Sequence, residues 1–226
     1  MSAPGILVDV DGTLVDSNYH HTLAWSRALR DHDRNARLAA IHRLIGMGGT
    51  ELLRSLFPED VEDDPDHDAI KASWPTHFDA LLPEVYAFEG AADALRALRA
   101  KGLTVVLATS SPADLLEELR RKIGGDDAID VVVTADDVER AKPEPDIFRV
   151  ALDKAGLTAG QALVLGDSVW DVEAARRAGL GCLGVETGGF SRLELEAAGA
   201  LHVFRDALDL TANLGTGPIA TLVAGE

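Results

Sequence analysis

The sequence of 226 residues is poor in cysteine, in aromatic residues and in long apolar runs, and each shortage excludes a class of protein. Cys182 is the only cysteine, so no disulfide can form within the chain, and its leucine and glycine neighbours predict a small buried apolar side chain. No run approaches the roughly 18 apolar residues that a membrane-spanning helix needs. No basic and apolar leader precedes Ile6. We therefore expect a cytoplasmic protein.

Basic residues are also scarce, since 21 Lys and Arg stand against 38 Asp and Glu, for a formal net charge of −17. Nucleic acids and anionic membranes bind basic surfaces, so neither is predicted as a partner. A phosphorylated substrate would have to be attracted by a local cation. The composition, 46% hydrophobic and 26% charged, is otherwise that of a globular protein with one sizeable core and a smaller lobe. A monomer is the expectation, and an oligomer stays open.

An apolar segment near the start of the chain carries a carboxylate. Residues 6–10 are apolar apart from Asp9, a pattern typical of a buried strand in a parallel sheet. A carboxylate buried there needs a cation, hydrogen bonds or a metal. If the extended run continues, Asp9 and Asp11 project to the same side, and Gly12 lets the chain turn sharply. A strand that simply ends in an Asp-Gly turn explains the same pattern.

Helix and strand patterns alternate from residue 85 to the C-terminal region, which predicts an α/β fold with a Rossmann-like parallel sheet. The predicted strands are residues 103–108, 129–133, 162–165, 180–184 and, at the sheet edge, 201–204. The predicted helices are residues 91–100, 113–123, 144–155 and 169–178. Residues 215–226 show little pattern and are expected to be loosely attached.

The segment from residue 16 to residue 83 has apolar residues at helical spacing and is predicted to be an inserted small α-helical cap domain. Residues 1–15 and 84–226 would then form the catalytic core. The first predicted cap helix follows Ser17, is indicated by apolar residues between positions 23 and 29, and is broken by residues 31–35. The other predicted cap helices are residues 37–44, 51–57 and 69–82. Residues 45–50 hold too many glycines for a helix interior, so we expect a loop that lets the backbone approach another group closely, with Gly49 or Thr50 capping the next helix.

The acidic run 59–68 could bind a divalent cation, but a solvated connection is favoured because its spacing matches no calcium loop.

Polar residues follow the predicted strands at the edge where parallel sheets bind ligands. These residues are Asp9 and Asp11 after the first strand, Thr109, Ser110 and Ser111 after the second, and Asp167 and Ser168 after the strand 162–165. Lys142 follows the strand 129–133 by a loop. Taken singly, Thr109 could begin a helix, Lys142 could be a surface lysine and Asp167 could be a helix cap. Taken together, they are predicted to converge on one site.

Four segments resemble the motifs of the haloacid dehalogenase-like hydrolase superfamily, in its phosphatase branch with a helical cap. The segments are residues 9–17, 105–110, 141–148 and 164–171, and they extend over most of the chain. The resemblance implies a magnesium-dependent phosphatase that acts on a small phosphomonoester metabolite.

The resemblance and the chemistry of these side chains together imply a role for each. Asp9 would be the nucleophile that forms an aspartyl-phosphate, and Asp11 the general acid and then the general base. Thr109 and Lys142 would bind the phosphoryl oxygens and stabilise the developing charge. The implied metal ligands are Asp9, Asp167 and the backbone carbonyl of Asp11, with Asp171 in support. The implied substrate-binding residues are Thr109, Ser110, Lys142 and, in the cap that should close over the cleft, Gly48, Gly49 and His21.

A sugar phosphomutase is the alternative within the family, because the same motifs and a cap would serve it too. His21 lies ten residues after Asp11, as does a histidine in that branch. The cap loop there carries an arginine for the second phosphate, whereas this chain has Gly48 and Gly49, which favours hydrolysis. Dehalogenases lack the second acid, and phosphonatases use a cap lysine, for which this segment offers only Lys71.

A non-catalytic binding protein on the same scaffold is the alternative from another class. Such a protein could dispense with Asp9, Asp11, Lys142 or Asp167, and this chain retains them all. Residues 179–184 spell G-x-G-x-x-G, but they follow a predicted helix and enter a strand, the reverse of the order that a dinucleotide site requires. The sequence does not distinguish phosphoglycolate, a sugar phosphate or a nucleotide monophosphate as the substrate.

Overall fold

The computed structural model describes residues 3–60 and 64–225. The chain forms two compact units, one of Met1–Asp16 with Tyr86–Glu226 and the other of Ser17–Val85. That the first is the catalytic core and the second a cap stays a prediction. Among the described residues, no helix is both long and apolar enough to cross a bilayer.

The first unit contains a six-stranded parallel sheet, which confirms the predicted α/β fold. The strands of this unit form that sheet and a separate two-stranded one. They are β1 (Gly5–Val8), β2 (Val15–Asp16), β3 (Tyr86–Ala87), β4 (Thr104–Ala108), β5 (Val131–Val133), β6 (Ala162–Gly166), β7 (Gly181–Val185) and β8 (His202–Phe204). The large sheet has the order β5-β4-β1-β6-β7-β8, while β2 and β3 pair antiparallel on either side of the inserted segment. The chain adds strands first on one side of β1 and then on the other. The order therefore reverses at β1, where such sheets bind ligands.

Helices occur in both units. In the second unit they are α1 (Asn18–Asp31), α2 (Leu38–His42), α3 (Gly49–Leu56) and α4 (Pro65–Asp79). In the first unit they are α5 (Ala91–Ala100), α6 (Ala113–Ile123), α7 (Asp146–Ala155), α8 (Val169–Ala178), α9 (Arg192–Ala198), α10 (Ala207–Ala212) and α11 (Gly217–Ala224). The predicted bounds of α5, α6 and α8 are confirmed to the residue.

The core of the first unit forms because its strands are apolar on both faces and its helices on one. Ile6, Leu7 and Val8 of β1 have no exposed surface, as expected of a central parallel strand. The α7 helix buries residues at helical spacing, among them Phe148 and Ala151, and ends at Gly156 with φ of 65°. Cys182 lies in the same apolar cluster, which confirms its predicted burial.

The C-terminal region differs from the prediction. Residues 215–226 were expected to be loosely attached, but α11 forms there and Ile219 is buried. Pro218 lies in its first turn, where a proline fits because the missing N–H has no helical partner. The α9 and α10 helices were also missed, since helices of six to eight residues are too short for a clear periodicity.

The second unit has its own apolar core, which includes the buried Trp25. The glycine loop was expected to cap α3 with Gly49 or Thr50, but Gly48 is the N-cap. A Cβ on Gly49 would lie 2.8 Å from the Trp25 ring, so the close approach that the glycines predicted occurs within this unit. Residues 61–63 of the acidic run lie outside the described residues. The following Asp64 caps α4 by accepting from the Asp66 N–H.

Candidate active site

Three adjacent strands place the main polar residues side by side. Asp9 follows β1, Thr109 follows β4 and Asp167 follows β6. In the sheet register, Val8 of β1 lies opposite Leu107 and Leu165 on its two neighbours. The Asp9 N–H extends the ladder by donating to the Leu165 carbonyl at 2.9 Å. The three side chains thus leave the sheet at one edge because the strands end in register.

Lys142 lies between two carboxylates and is 1% exposed. Its Nζ is 2.7 Å from Asp9 Oδ1 and 2.7 Å from Asp171 Oδ1. The alternative interpretation of Lys142 as a surface lysine is therefore wrong. A buried ammonium is tolerated here because two opposite charges contact it directly.

Burial and charge act against each other on this ion pair. Burial raises the pKa of Asp9 to about 7, although Lys142 opposes the rise, and the charges of Asp171 and Asp11 add to it. Burial disfavours the charge of Lys142, but Asp171 and Asp9 outweigh it and raise its pKa. Lys142 is therefore positively charged throughout the physiological pH range. Asp9 is more acidic with Lys142 beside it than burial alone would allow, so nearby cations help to keep it ionised.

Three buried carboxylates form a cluster that fits a metal ion. Oxygens of Asp9, Asp167 and Asp171 all lie within 4.8 Å of one another. Thr13 Oγ1 donates to Asp167 Oδ1 at 3.1 Å, which orients that carboxylate. Carboxylate oxygens are the ligands that hard divalent cations prefer. With Lys142 as the ammonium in contact with two of them, the cluster keeps a negative charge that such a cation would compensate.

Asp11 lies outside this trio and is held by hydroxyl groups. Ser111 Oγ donates to Asp11 Oδ2 at 2.7 Å, and Thr109 Oγ1 lies 3.4 Å from the same oxygen. The Ser111 N–H donates in turn to Thr109 Oγ1 at 3.0 Å. The chain then turns at Gly12, whose φ of 76° favours glycine. The predicted Asp-Gly turn is present. Asp9 and Asp11, which precede it, are close enough for the charge of Asp11 to act on Asp9.

Asp171 also serves the start of α8. Its Oδ2 accepts from the Ser168 N–H at 3.1 Å and from the Ser168 hydroxyl, while the Asp171 N–H donates to Ser168 Oγ at 3.2 Å. This capping box fixes the Asp171 side chain. A Cβ on Gly166 would lie 2.4 Å from Asp171 Cγ, so β6 must end in glycine for Asp171 to occupy this place.

The remaining predicted binding residues are found in two places. Ser110 is half-buried in the turn between β4 and α6. Gly48, Gly49 and His21 belong to the second unit, where the His21 ring stacks on Phe78 with centroids 4.2 Å apart. Their contact with a substrate stays a prediction, as do the catalytic and metal-binding roles of the other residues.

Sequence reasoning assigned no role to four hydroxyl residues that the structure places among these groups. Ser168 could have been found from the capping-box pattern Ser-x-x-Asp. Thr13 lies inside the first motif and Ser111 directly follows the second, but nothing local indicates their partners. Thr187 donates to the Gly12 carbonyl at 2.6 Å from 175 residues away, and no sequence signal precedes that contact.

A comparison with protein families matches residues 4–179 to a family described as "Hydrolase: haloacid dehalogenase-like hydrolase". This match includes the ends of β1, β4 and β6 and the loop that carries Lys142.

Individual proteins of similar sequence are also known. A phosphoglycolate phosphatase of Rhodospirillum rubrum is 34% identical over 219 residues, which covers 93% of this chain and 90% of that protein. A validoxylamine A 7'-phosphate phosphatase of Streptomyces hygroscopicus subsp. limoneus is 29% identical over 80% of this chain and 84% of its own. The crystal structure of a hydrolase from Pseudomonas syringae is 35% identical and superposes with a TM-score of 0.87, covering 93% of this chain and 97% of that one.

Proposed function

This chain belongs to the haloacid dehalogenase-like hydrolases, and we propose that it removes the phosphoryl group from a small phosphorylated metabolite through an aspartyl-phosphate intermediate. The predicted enzyme class, a phosphoric monoester hydrolase, is confirmed by the family and by the phosphatase relatives. The observation that carries the proposed mechanism is the buried contact of Lys142 with Asp9, beside the carboxylates of Asp167 and Asp171.

Asp9 is the nucleophile in the first step. One of its carboxylate oxygens bonds to phosphorus while the bond from phosphorus to the leaving oxygen breaks. The leaving oxygen takes a proton from Asp11, so the product departs as a neutral alcohol. The aspartyl-phosphate on Asp9 and an ionised Asp11 remain.

Water completes the reaction in the second step. Asp11, now a carboxylate, removes a proton from the water as its oxygen bonds to phosphorus. The bond between phosphorus and the Asp9 oxygen breaks, which releases inorganic phosphate and restores the Asp9 carboxylate. Asp11 is again protonated, so the residues return to their starting state.

Lys142 and Thr109 bind the phosphoryl oxygens during both steps. The Lys142 ammonium compensates negative charge that spreads over these oxygens. The Thr109 hydroxyl accepts from the Ser111 N–H, which leaves its own proton for donation to a phosphoryl oxygen. Ser110, in the same turn, is proposed as a further binding residue.

Mg²⁺ is the metal that this site is proposed to hold, through Asp9, Asp167 and the Asp11 carbonyl, with Asp171 in support. When bound, the ion offsets the repulsion between the Asp9 carboxylate and the anionic phosphate. Its donors are all oxygens, in agreement with the carboxylate cluster.

Purified protein assayed against a panel of phosphomonoesters, with phosphate release as the readout, tests the function. The panel should contain phosphoglycolate, validoxylamine A 7'-phosphate, sugar phosphates and nucleotide monophosphates, because the two relatives bear the names of unlike substrates. We expect magnesium-dependent release that disappears in Asp9→Asn.

The same assay separates hydrolysis from the mutase alternative. A mutase would require a catalytic sugar bisphosphate and would release little phosphate, so each sugar phosphate is assayed with and without its bisphosphate. Isomerisation that depends on the bisphosphate would contradict the phosphatase proposal. A complete lack of turnover across the panel would revive the non-catalytic alternative.

A further inference from the structure

We propose that Ser111 is a positioning residue for Asp11, whose hydroxyl holds the Asp11 carboxyl group in the orientation needed to protonate the leaving oxygen. This role rests on the proposed function, because it presumes that Asp11 is the general acid. Ser111 is not the Ser or Thr of the second motif, a position that Thr109 occupies. Its role follows from the contacts it makes in the structure.

Ser111 makes one hydrogen bond to the loop after β1 and a second within its own turn after β4. Its Oγ donates to Asp11 Oδ2 at 2.7 Å, and its N–H donates to Thr109 Oγ1 at 3.0 Å. Ser111 is only 5% exposed, so water competes little for its hydroxyl. A hydroxyl bonded to a carboxyl oxygen in such a place restrains the rotation of the carboxyl group.

This restraint has a chemical consequence for Asp11. A carboxylic acid carries its proton on one oxygen and can accept hydrogen bonds on the other. Because Ser111 donates to Oδ2, the acidic proton is carried on Oδ1. Loss of the Ser111 hydroxyl removes this distinction between the two oxygens, so a smaller fraction of the molecules has the proton directed at the leaving oxygen.

Thr109 cannot replace Ser111 in this role. Its Oγ1 lies 3.4 Å from Asp11 Oδ2, at the outer limit of a hydrogen bond, compared with 2.7 Å for Ser111. Thr109 is also proposed to donate to a phosphoryl oxygen, and its single proton cannot serve both acceptors. With substrate bound, Ser111 is therefore the donor of this pair that holds Asp11.

The experiment compares substrates that differ in their need for a general acid. An aryl phosphate such as p-nitrophenyl phosphate has a stable leaving anion, whereas an alkyl phosphate must be protonated as it departs. We expect Ser111→Ala to lower kcat/KM for alkyl phosphates by about 10- to 100-fold, within the range that general acids contribute, and for the aryl phosphate by less than about threefold. Because kcat/KM covers the steps up to release of the alcohol, hydrolysis of the aspartyl-phosphate does not mask the difference.

Two further variants serve as comparisons. Ser111→Thr keeps the hydroxyl and should restore alkyl phosphate hydrolysis to within about threefold of the wild type, by the same reasoning. Ser191→Ala removes a hydroxyl that donates to Glu194 at 2.8 Å at the start of α9, a hydrogen bond of similar length outside the proposed machinery, and should leave both substrates unaffected.

The outcomes distinguish the two proposals. An equal loss on alkyl and aryl substrates in Ser111→Ala, or no loss on either, would overturn the positioning role while phosphatase activity in the wild type stands. A wild type that hydrolyses neither substrate would instead overturn the proposed function, and the role of Ser111 with it. Thermal unfolding of each variant separates a loss of folded protein from a change in the leaving-group dependence.

Discussion

Asp9 must satisfy two opposing requirements. Its burial raises its pKa to about 7, which favours the neutral acid, whereas its proposed role as nucleophile needs the carboxylate. Lys142 and a bound cation both favour the carboxylate. The ionised Asp9 therefore lowers the stability of the metal-free folded protein, as is typical of residues kept for function.

Asp9→Asn is expected to abolish turnover and to stabilise the metal-free protein. Asparagine cannot form the aspartyl-phosphate, so kcat should fall by at least about a thousandfold. The folded pKa of about 7 lies above the ordinary value of 3.8, so ionisation of Asp9 costs the folded state stability as pH rises between these values. In EDTA, the stability advantage of Asn over Asp should grow from about pH 4 to pH 7 and then level off. Urea unfolding of both proteins across this range measures it.

The matched control for this prediction is Asp127→Asn, at an exposed position where hydrogen bonds from Arg96 lower the pKa of the carboxyl group. This variant should show no gain in stability between the same pH values. A stability difference for Asp9→Asn that does not change with pH would contradict the raised pKa.

Lys142→Met is expected to destabilise the protein and to remove activity. Removing one partner of a buried ion pair costs about 3–5 kcal/mol, because the remaining charges lose their compensation. The loss should be largest above pH 7 and smaller in acid, where Asp9 is protonated. Denaturant unfolding in EDTA measures the change. Lys154→Met, which breaks an ion pair with the exposed Asp137, should cost less than about 1 kcal/mol. Equal losses in the two variants would show that Lys142 is not buried among acids.

At the scale of elements, the junction of β6 and α8 determines the position of two acids. β6 delivers Asp167 at its carboxyl end, and the capping box at the start of α8 fixes Asp171. The two elements approach so closely that Gly166 has no room for a side chain. The acid cluster therefore depends on how a strand meets a helix as well as on the residues themselves.

Gly166→Ala is expected to impair this junction. Its Cβ would lie 2.4 Å from Asp171 Cγ, so the start of α8 must move and Asp171 must shift away from Lys142. We expect kcat to fall at least about tenfold, with a stability loss of about 1–3 kcal/mol from overpacking. Steady-state kinetics and thermal unfolding measure the two effects.

Gly160→Ala, where a Cβ would have open space, is the control and should change neither kcat nor stability. Wild-type kinetics in Gly166→Ala would mean that the exact position of Asp171 is not required.

At the scale of the whole molecule, the charge of −17 and the buried acid cluster make a bound cation favourable to stability. A ligand that binds only the folded protein stabilises it by mass action, about 2.7 kcal/mol at a hundred times its Kd. We expect Tm to rise with Mg²⁺ concentration and to return to its starting value in EDTA. Asp167→Asn removes one of the proposed ligands and should abolish most of the rise. An equal rise in wild type and Asp167→Asn would indicate general screening of surface charge.

The helices and strands that the sequence predicts correctly have signals within the element. The α6 and α8 helices were placed to the residue because their apolar spacing, Pro112 before α6 and Gly179 after α8 are all local. The α11 helix was missed because eight residues give too little periodicity. Short elements form here because tertiary contacts bury a few side chains, such as Ile219.

The sequence by itself determined the fold class, the family and the chemical groups at the strand ends, because strand periodicity and the motifs are properties of short segments. Only the tertiary structure decided which of these groups touch. Lys142 lies between Asp9, 133 residues away, and Asp171, while Thr13 reaches Asp167 across 154 residues and Ser111 reaches Asp11 across 100. Such contacts depend on the order and register of β4, β1 and β6, which no single segment encodes. The pKa of Asp9 depends on them too, since the surrounding protein sets both its burial and its neighbouring charges.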